Sequence, residues 1–272
     1  MITFPNCKIN LGLWVTDRRP DGYHTIQTVM FPVRWCDILE IVPASGKTAK
    51  LTVSGMDVTG KPEENLCYKA WKLMSDLYSI PAVAIHLHKI IPTGAGLGGG
   101  SVDASFMLRM LNTMFQLRLN DDILRSLSAQ LGMDCPFFID NVPALSTGRG
   151  DILQAVTINL DGFYLVVVKP PVHINTATAF AGISPVFRDD SIVKILGSPV
   201  QEWKNTLVND FEKTIFARYP QIGEIKEILY RRGAVYAAMS GSGSAVYGLF
   251  SEKPAVDFPG CEVFQTLLGS QP

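Results

Sequence analysis

Residues 92–101 read PTGAGLGGGS and stand between two segments of different character. An apolar, β-prone run precedes them at residues 82–91, and residues 102–117 have the periodicity of a helix. The first N–H groups of a helix have no partner within the helix, and its dipole makes that end positive. A glycine-rich loop that opens a helix therefore predicts a phosphate-binding site, and so an enzyme that uses nucleotide phosphates.

Other glycine-rich loops have to be compared with this one. The P-loop pattern requires a lysine before its closing Ser or Thr, and none is present here. Gly94, Gly96 and Gly99 match the dinucleotide-binding pattern, but Pro92-Thr93 separates the strand from the first glycine. The acidic residues at 121–122 stand in a helix cap rather than at a strand end. A nicotinamide oxidoreductase and a ligand-free surface turn remain as alternatives.

Composition restricts the class of protein. Of 272 residues, 47% are hydrophobic, which suffices for a substantial core, yet there is no apolar run of membrane-spanning length. The net charge of -1 gives no reason to expect nucleic acid or an anionic membrane as partner. Five cysteines without a C-x-x-C pair argue against a disulfide framework or a zinc site. With no signal-like N-terminus, a cytoplasmic protein is predicted.

The pattern along the chain predicts an α+β protein with closely packed halves. In the first part we expect strands at 7–15, 25–32, 37–43, 50–54 and 82–91, helices at 65–78, 102–117 and 122–131, and a strand-like segment that begins at 136–139 and ends near 147–150. In the second part we expect strands at 163–169, 234–239, 245–250 and 262–266, and helices at 190–196, 207–218 and 222–231.

Two charged residues have unusual surroundings. In a strand over 7–15, Lys8 and Asn10 share the face opposite the apolar residues, although a solvent-facing lysine is the ordinary interpretation. Asp134 lies in LGMDCPFF, an otherwise apolar octet, and could also be a turn residue that binds its own backbone. A buried carboxylate requires a compensating cation to stay ionised, and Lys8 could be that cation. The sequence alone leaves open whether they meet.

Taken together, these segments resemble those of the GHMP small-molecule kinases. Residues 92–101 resemble the phosphate loop of that family, and the late loop SGSG at 240–243 resembles its third motif. Three further segments are similar to the corresponding segments of those members that act on a cytidine diphosphate-linked methylerythritol: KINL at 8–11, RPDGYH at 19–24 and GMDCPFF at 132–138. The matches extend from residue 6 to about residue 250.

The resemblance implies a GHMP kinase fold with domains at 1–158 and 159–272, the second ferredoxin-like, and an active site in the cleft between them. It implies that ATP, with Mg²⁺, phosphorylates the 2-hydroxyl of 4-diphosphocytidyl-2-C-methyl-D-erythritol in isoprenoid precursor synthesis. Asp134 matches the general base and Lys8 its electrostatic partner. No obligate protein partner is expected.

The remaining site residues also follow from the resemblance. It assigns to ATP the residues Pro92, Thr93, Gly94, Ala95, Gly96, Leu97, Gly98, Gly99, Gly100, Ser101, Val102, Asn65 and Lys89. Asn65 could equally be a helix N-cap, Ser101 is the candidate metal ligand, and Asp103 could pair with the helix dipole. It assigns to the cytidine substrate Asn10, Tyr23, His24, Thr176, Phe180, Gly241 and Ser242.

For the cytosine ring, Tyr23 and Phe180 match an aromatic pair that encloses it, and His24 matches a residue that reads its edge. Phe180 could instead belong to a helix core. Two residues depart from the family pattern, since Cys7 replaces a common alanine and Val102 a frequent serine. A homoserine or mevalonate-type kinase and a non-catalytic nucleotide-binding relative stay open as alternatives.

Overall fold

The computed structural model describes residues 1–269, in which the chain forms two compact units. The first unit comprises Met1–Lys8, Pro32–Thr93 and Gly98–Val142. The second comprises Ile9–Phe31, Gly94–Leu97 and the described residues from Pro143 onward. Each unit is therefore assembled from segments that are far apart in the sequence.

Groups of consecutive strands and groups of consecutive helices follow one another along the chain. The strands are β1 (Ile2–Thr3), β2 (Asn6–Arg18), β3 (His24–Cys36), β4 (Ile38–Pro43), β5 (Lys50–Gly55), β6 (Val83–Lys89), β7 (Ala144–Thr147), β8 (Ile152–Ala155), β9 (Tyr164–Lys169), β10 (Tyr236–Met239), β11 (Val246–Phe250) and β12 (Glu262–Leu267). The helices are α1 (Leu66–Tyr78), α2 (Gly99–Met114), α3 (Asp121–Ala129), α4 (Cys135–Asp140), α5 (Thr176–Ala181), α6 (Ile192–Leu196), α7 (Phe211–Arg218) and α8 (Pro220–Arg231), with 3₁₀ turns at Pro62–Glu64 and Val200–Asn205.

The first unit contains a sheet in the order β1-β4-β6-β5, and helices α1 to α4. In β6, alternate residues such as Ile85 and Leu87 are buried while His86 is exposed, as expected for a strand with one covered face. The core of the unit joins that face to the apolar sides of the helices, through Leu39, Ile41, Trp71, Met74, Ile85, Leu87, Met107, Leu108, Leu111 and Ile139.

The second unit contains an antiparallel sheet in the order β10-β11-β9-β12 and most of the sheet β2-β3-β7-β8. Residues 165–168 of β9 are fully buried, which agrees with their unbroken apolar sequence. The turn over residues 240–244 joins β10 to β11. The core of this unit includes Leu13, Val15, Val166, Val168, Phe211, Ile215, Ile222, Leu229, Met239 and Val246.

One predicted element, the strand-like segment from residue 136 to about residue 150, is wrong in its first part, whereas its later part contains β7. Residues 136–139, predicted to begin a strand, form part of helix α4. Pro136 occupies the first turn of this helix, where a missing N–H costs nothing, and Asn141 ends it in the left-handed conformation. A short apolar run does not distinguish a buried strand from a buried helix, so periodicity could not decide here.

The α+β class is confirmed, and the other predicted elements are found with shifted ends. Helix α2 begins at Gly99 rather than at residue 102, and α7 begins at Phe211 rather than at residue 207. No helix among residues 1–269 combines the length and apolar character needed to cross a membrane.

Candidate active site

Lys8 and Asp134 meet in the first unit. Lys8 lies in β2 with only 3% of its surface exposed, and Asp134 directly precedes α4. The distance from Lys8 Nζ to Asp134 Oδ2 is 3.6 Å, and 35% of the Asp134 side chain is exposed. The two residues are far apart in the sequence, and the structure answers the question that the sequence leaves open by bringing them together. A solvent-facing Lys8 is thereby ruled out.

The start of α2 lies beside this pair. A Cβ at Gly98 would lie 3.3 Å from Lys8 Cγ and 2.8 Å from Phe138 Cζ, so only a glycine leaves room there. A Cβ at Gly132 would lie 3.7 Å from Ser101 Oγ, which brings the turn before Asp134 close to the first turn of α2. The ammonium, the carboxylate and the end of the glycine loop therefore form one cluster within the first unit.

The middle of the loop, Gly94–Leu97, belongs to the second unit and is bound there by residues 240–245. Ser240 Oγ donates to the Gly96 carbonyl at 2.9 Å, and the Ala245 N–H donates to the Ala95 carbonyl at 3.1 Å. Gly96 has φ +76°, and a Cβ there would lie 2.0 Å from the Ser240 carbonyl oxygen. The predicted third motif thus supports the backbone of the predicted phosphate loop.

Asn10 is held in the same unit by a buried network. Its side-chain amide donates to Thr28 Oγ1 at 3.0 Å, and its N–H donates to Ser240 Oγ at 3.2 Å. The Tyr247 hydroxyl donates to its carbonyl at 2.9 Å. Among the other predicted substrate residues, Thr176 and Ser242 have their hydroxyl oxygens 3.2 Å apart. The Gly241 carbonyl, which precedes Ser242, accepts from Asn209 at 2.8 Å.

The predicted aromatic residues are arranged differently from a simple sandwich. His24 stacks on Phe180 with ring centroids 5.1 Å apart and planes 17° apart. Tyr23 is 53% exposed, and the Arg149 guanidinium lies 5.4 Å from the centre of its ring. Phe180 also packs edge-on against Phe211, so it is part of the core as well as a stacking surface. Their contact with a cytosine stays a prediction.

A pocket of about 370 Å³ opens in the first unit. It contains four residues assigned to the nucleotide: Asn65, Lys89, Thr93 and Gly100. The Asn65 side chain accepts from the Cys67 N–H at 2.9 Å, so this residue is the N-cap of α1 and also lines the pocket. The rest of the lining is Leu51, Val53, Val58, Thr59, Gly60, Lys61, Pro62, Glu64, Leu66, Leu87 and Asp103.

Lys89 carries a feature that the sequence analysis missed. Its ammonium contacts Asp37 and lies 2.7 Å from Asp103 Oδ2. Burial alone would lower the pKa of Lys89, but Asp103 and Asp37 raise it above its ordinary value. Burial raises the pKa of Asp103, with Lys89 opposing and Asp37 adding to the shift. The sequence does show Asp37 and Asp103 among apolar residues. Their pairing with Lys89, however, depends on how three separate parts of the chain pack together.

Ser101 is half-buried in the first turn of α2. Among residues 1–269 there is no group of three or more His, Cys, Asp or Glu side chains that could hold a metal ion. The cysteines in this region, including Cys7 and Cys135, are free thiols, and burial raises the pKa of Cys135 to about 11. The role of Ser101 as a metal ligand stays a prediction.

The chain is similar to known proteins over nearly its whole length. The family model for the GHMP kinases N terminal domain matches residues 65–147, and that for the GHMP kinases C terminal domain matches residues 197–258. The 4-diphosphocytidyl-2-C-methyl-D-erythritol kinase of Bacteroides fragilis is 50% identical over 98% of this chain and 100% of that protein. The chain belongs to the GHMP kinase family. This GHMP kinase is also 50% identical to the protein of the same name from Bacteroides thetaiotaomicron, over 97% of this chain and 98% of that protein.

The fold of this GHMP kinase is similar to those of solved structures. A crystal structure of 4-(cytidine 5'-diphospho)-2C-methyl-D-erythritol kinase has 31% identity and a TM-score of 0.80, and the match covers 92% of this chain and 90% of that one. Mevalonate kinase from Methanococcus jannaschii has a TM-score of 0.70 at 13% identity, covering 97% of both chains, which shows the shared fold alone.

The family settles the reaction class. This GHMP kinase is a small-molecule kinase with ATP as its co-substrate, and the predicted fold and family are confirmed. The oxidoreductase considered for the glycine pattern is therefore excluded. The predicted boundary between residues 158 and 159 lies between the two family matches and stays a prediction.

Proposed function

We propose that this GHMP kinase transfers the γ-phosphoryl group of ATP to the 2-hydroxyl of 4-diphosphocytidyl-2-C-methyl-D-erythritol. The observation that carries the proposal is the 50% identity, over nearly the whole chain, to proteins that bear the name of that activity. Pairing of Lys8 with Asp134 beside the start of α2 supports it, because an alcohol acceptor needs a base near the terminal phosphate.

In the proposed reaction, Asp134 accepts the proton of the 2-hydroxyl as its oxygen attacks the γ-phosphorus. The new O–P bond forms while the bond from the γ-phosphorus to the β,γ-bridging oxygen breaks, and ADP leaves. Lys8 is the electrostatic partner of the Asp134 carboxylate and orients the hydroxyl, since the charged groups of Lys8 and Asp134 are 3.6 Å apart. Such transfers depend mostly on positioning and electrostatics.

ATP would be bound by the loop over residues 92–102 and by the pocket that includes Asn65. The free N–H groups at the start of α2 suit the phosphates, and the pocket volume of about 370 Å³ suits a nucleoside. Magnesium fits this donor set, because it binds mainly to phosphate oxygens and water with only one or two protein ligands. Ser101 would supply its hydroxyl, and the ion would neutralise charge on the β- and γ-phosphates.

The cytidine group would be bound in the second unit. Tyr23 offers an exposed ring for stacking, and the His24–Phe180 stack offers a second aromatic surface. Asn10, Thr176, Gly241 and Ser242 complete the proposed substrate site. The cytoplasmic location and the absence of a protein partner stay predictions.

A coupled ADP-release assay tests the substrate. The assay offers 4-diphosphocytidyl-2-C-methyl-D-erythritol, homoserine and mevalonate in parallel at equal concentrations. We expect turnover with the cytidine compound only. Turnover of homoserine or mevalonate in its place would overturn the substrate assignment and leave the kinase family intact.

Replacing Tyr23 with alanine tests cytidine recognition. We expect the KM for the cytidine substrate to rise about tenfold, because stacking on one base contributes roughly 1–3 kcal/mol. The KM for ATP should stay unchanged. Steady-state kinetics with each substrate varied in turn measures both values. Phe187→Ala is the control, since Phe187 is an aromatic residue that is 79% exposed in the same unit. Equal losses for both substrates would show that Tyr23 has only a structural role.

A further inference from the structure

Three charged side chains are buried together in the first unit. Asp37, Lys89 and Asp103 have 0%, 2% and 2% of their surfaces exposed. The Lys89 ammonium contacts both carboxylates, one directly before β4 and one in α2. Removing three charges from water is expensive, and such clusters are often no more stabilising than apolar side chains of the same size. Stability alone therefore does not account for this cluster.

Asp37 binds the backbone at the entry of the phosphate loop. Its Oδ1 accepts from the N–H groups of Ile90 at 2.6 Å and Ile91 at 2.8 Å. These two residues follow the end of β6 and directly precede Pro92, where the loop begins. A single carboxylate thus binds the backbone where the chain leaves the strand.

Asp103 connects the same ammonium to the other end of the loop. It is the fifth residue of α2, and its Oδ2 lies 2.7 Å from Lys89 Nζ. Gly99, the first residue of α2, is close as well, because a Cβ there would lie 3.4 Å from Lys89 Nζ and 3.1 Å from Ile91 Cγ2. The helix start and the strand end are consequently held against one another through Lys89.

We propose that Asp37, Lys89 and Asp103 are positioning residues for ATP. Their ion cluster connects the entry of the phosphate loop to α2. It thereby fixes the positions from which the N–H groups of residues 98–101 donate to phosphate oxygens. The inference rests on the proposed role of residues 92–102 in binding ATP. It assigns Lys89 an indirect role, because its ammonium is already engaged by two carboxylates.

Neutral variants separate positioning from mere support of the fold. Lys89→Met leaves two buried carboxylates without their cation, and Asp103→Asn removes the ion pair between Lys89 and α2, whereas Asp37→Asn/Lys89→Met/Asp103→Asn removes all three charges together. Isothermal titration with Mg²⁺ and a non-hydrolysable ATP analogue measures affinity, and thermal denaturation measures stability. We expect both single variants to bind the analogue at least about tenfold more weakly, because small displacements of binding groups are costly.

The triple variant decides the matter. We expect it to recover most of the thermal stability lost by Lys89→Met while its affinity for the analogue stays at least about tenfold below wild type. Faster hydrogen exchange of the Ile90 and Ile91 amides should accompany the loss in all three variants. Lys226→Met is the control, because Lys226 forms a largely buried ion pair with Glu212 in the second unit. This variant should lose thermal stability but keep its affinity for the ATP analogue.

Two results would overturn the inference. Wild-type affinity in the triple variant would show that the cluster serves only the fold. Normal affinity in Asp103→Asn, together with weak affinity in Lys89→Met, would show that Lys89 binds the nucleotide directly. Since no acceptor alcohol is present in the titration, an error in the proposed substrate would leave these affinities unchanged.

Discussion

Replacing Asp134 with asparagine should lower kcat by about 10²–10⁴-fold, the usual contribution of a general base. Asparagine has nearly the same shape as aspartate but cannot accept a proton from the 2-hydroxyl. The KM for ATP should change little, because the loop and the pocket do not include Asp134. Steady-state and single-turnover kinetics with the cytidine substrate measure the loss in the chemical step.

Asp140→Asn is the matched control for this variant. Asp140 ends the same helix that Asp134 precedes, and its carboxylate pairs with Arg125. We expect this control to keep the wild-type kcat. If Asp134→Asn retained wild-type turnover while it stayed folded, Asp134 could not be the base, and the proposed mechanism would have to be abandoned.

Replacing Gly96 with alanine should raise the KM for ATP by about 10²-fold, since a misplacement near 1 Å has effects of that size. The added Cβ would stand 2.0 Å from the Ser240 carbonyl oxygen, and the backbone has φ +76°, which suits glycine. Residues 94–97 would therefore have to leave their contacts with Ser240 and Ala245. Titration with the non-hydrolysable ATP analogue gives the affinity directly.

Gly162→Ala separates this clash from backbone strain. Gly162 has φ +85°, similar to that of Gly96, but a Cβ there would meet no atom within 4 Å. The control should lose some stability and bind the analogue normally. Normal binding by Gly96→Ala as well would mean that the loop does not depend on its contact with residues 240–245.

The sequence predicts best the elements with long and regular patterns. Helix α1 is predicted at 65–78 and is found at Leu66–Tyr78, because its apolar residues recur with helical spacing over three turns. The strand predicted in place of helix α4 is wrong, since four apolar residues have no period to measure. Two residues do indicate a helix here, namely Pro136 in its first turn and Asn141 at its C-terminal end. The helix between them is too short to show a helical period.

The candidate site was predicted unevenly for a physical reason. Lys8 and Asp134 could be paired because their segments are similar to those of a known family, and the structure places their charged groups 3.6 Å apart. Asp37 and Asp103 had no such motif, and each has an ordinary local explanation as a strand-end or helix residue. Only the packing of β4, β6 and α2 brings them to Lys89, and no local pattern encodes that arrangement.

The interleaving of the two units has a consequence for dissection of the protein. Residues 9–31 complete the second unit although they precede most of the first, and residues 98–142 complete the first after the chain has visited the second. No single cleavage of the backbone can separate them into intact halves. Limited proteolysis or a split expression vector should therefore yield fragments that fold only when both are supplied together.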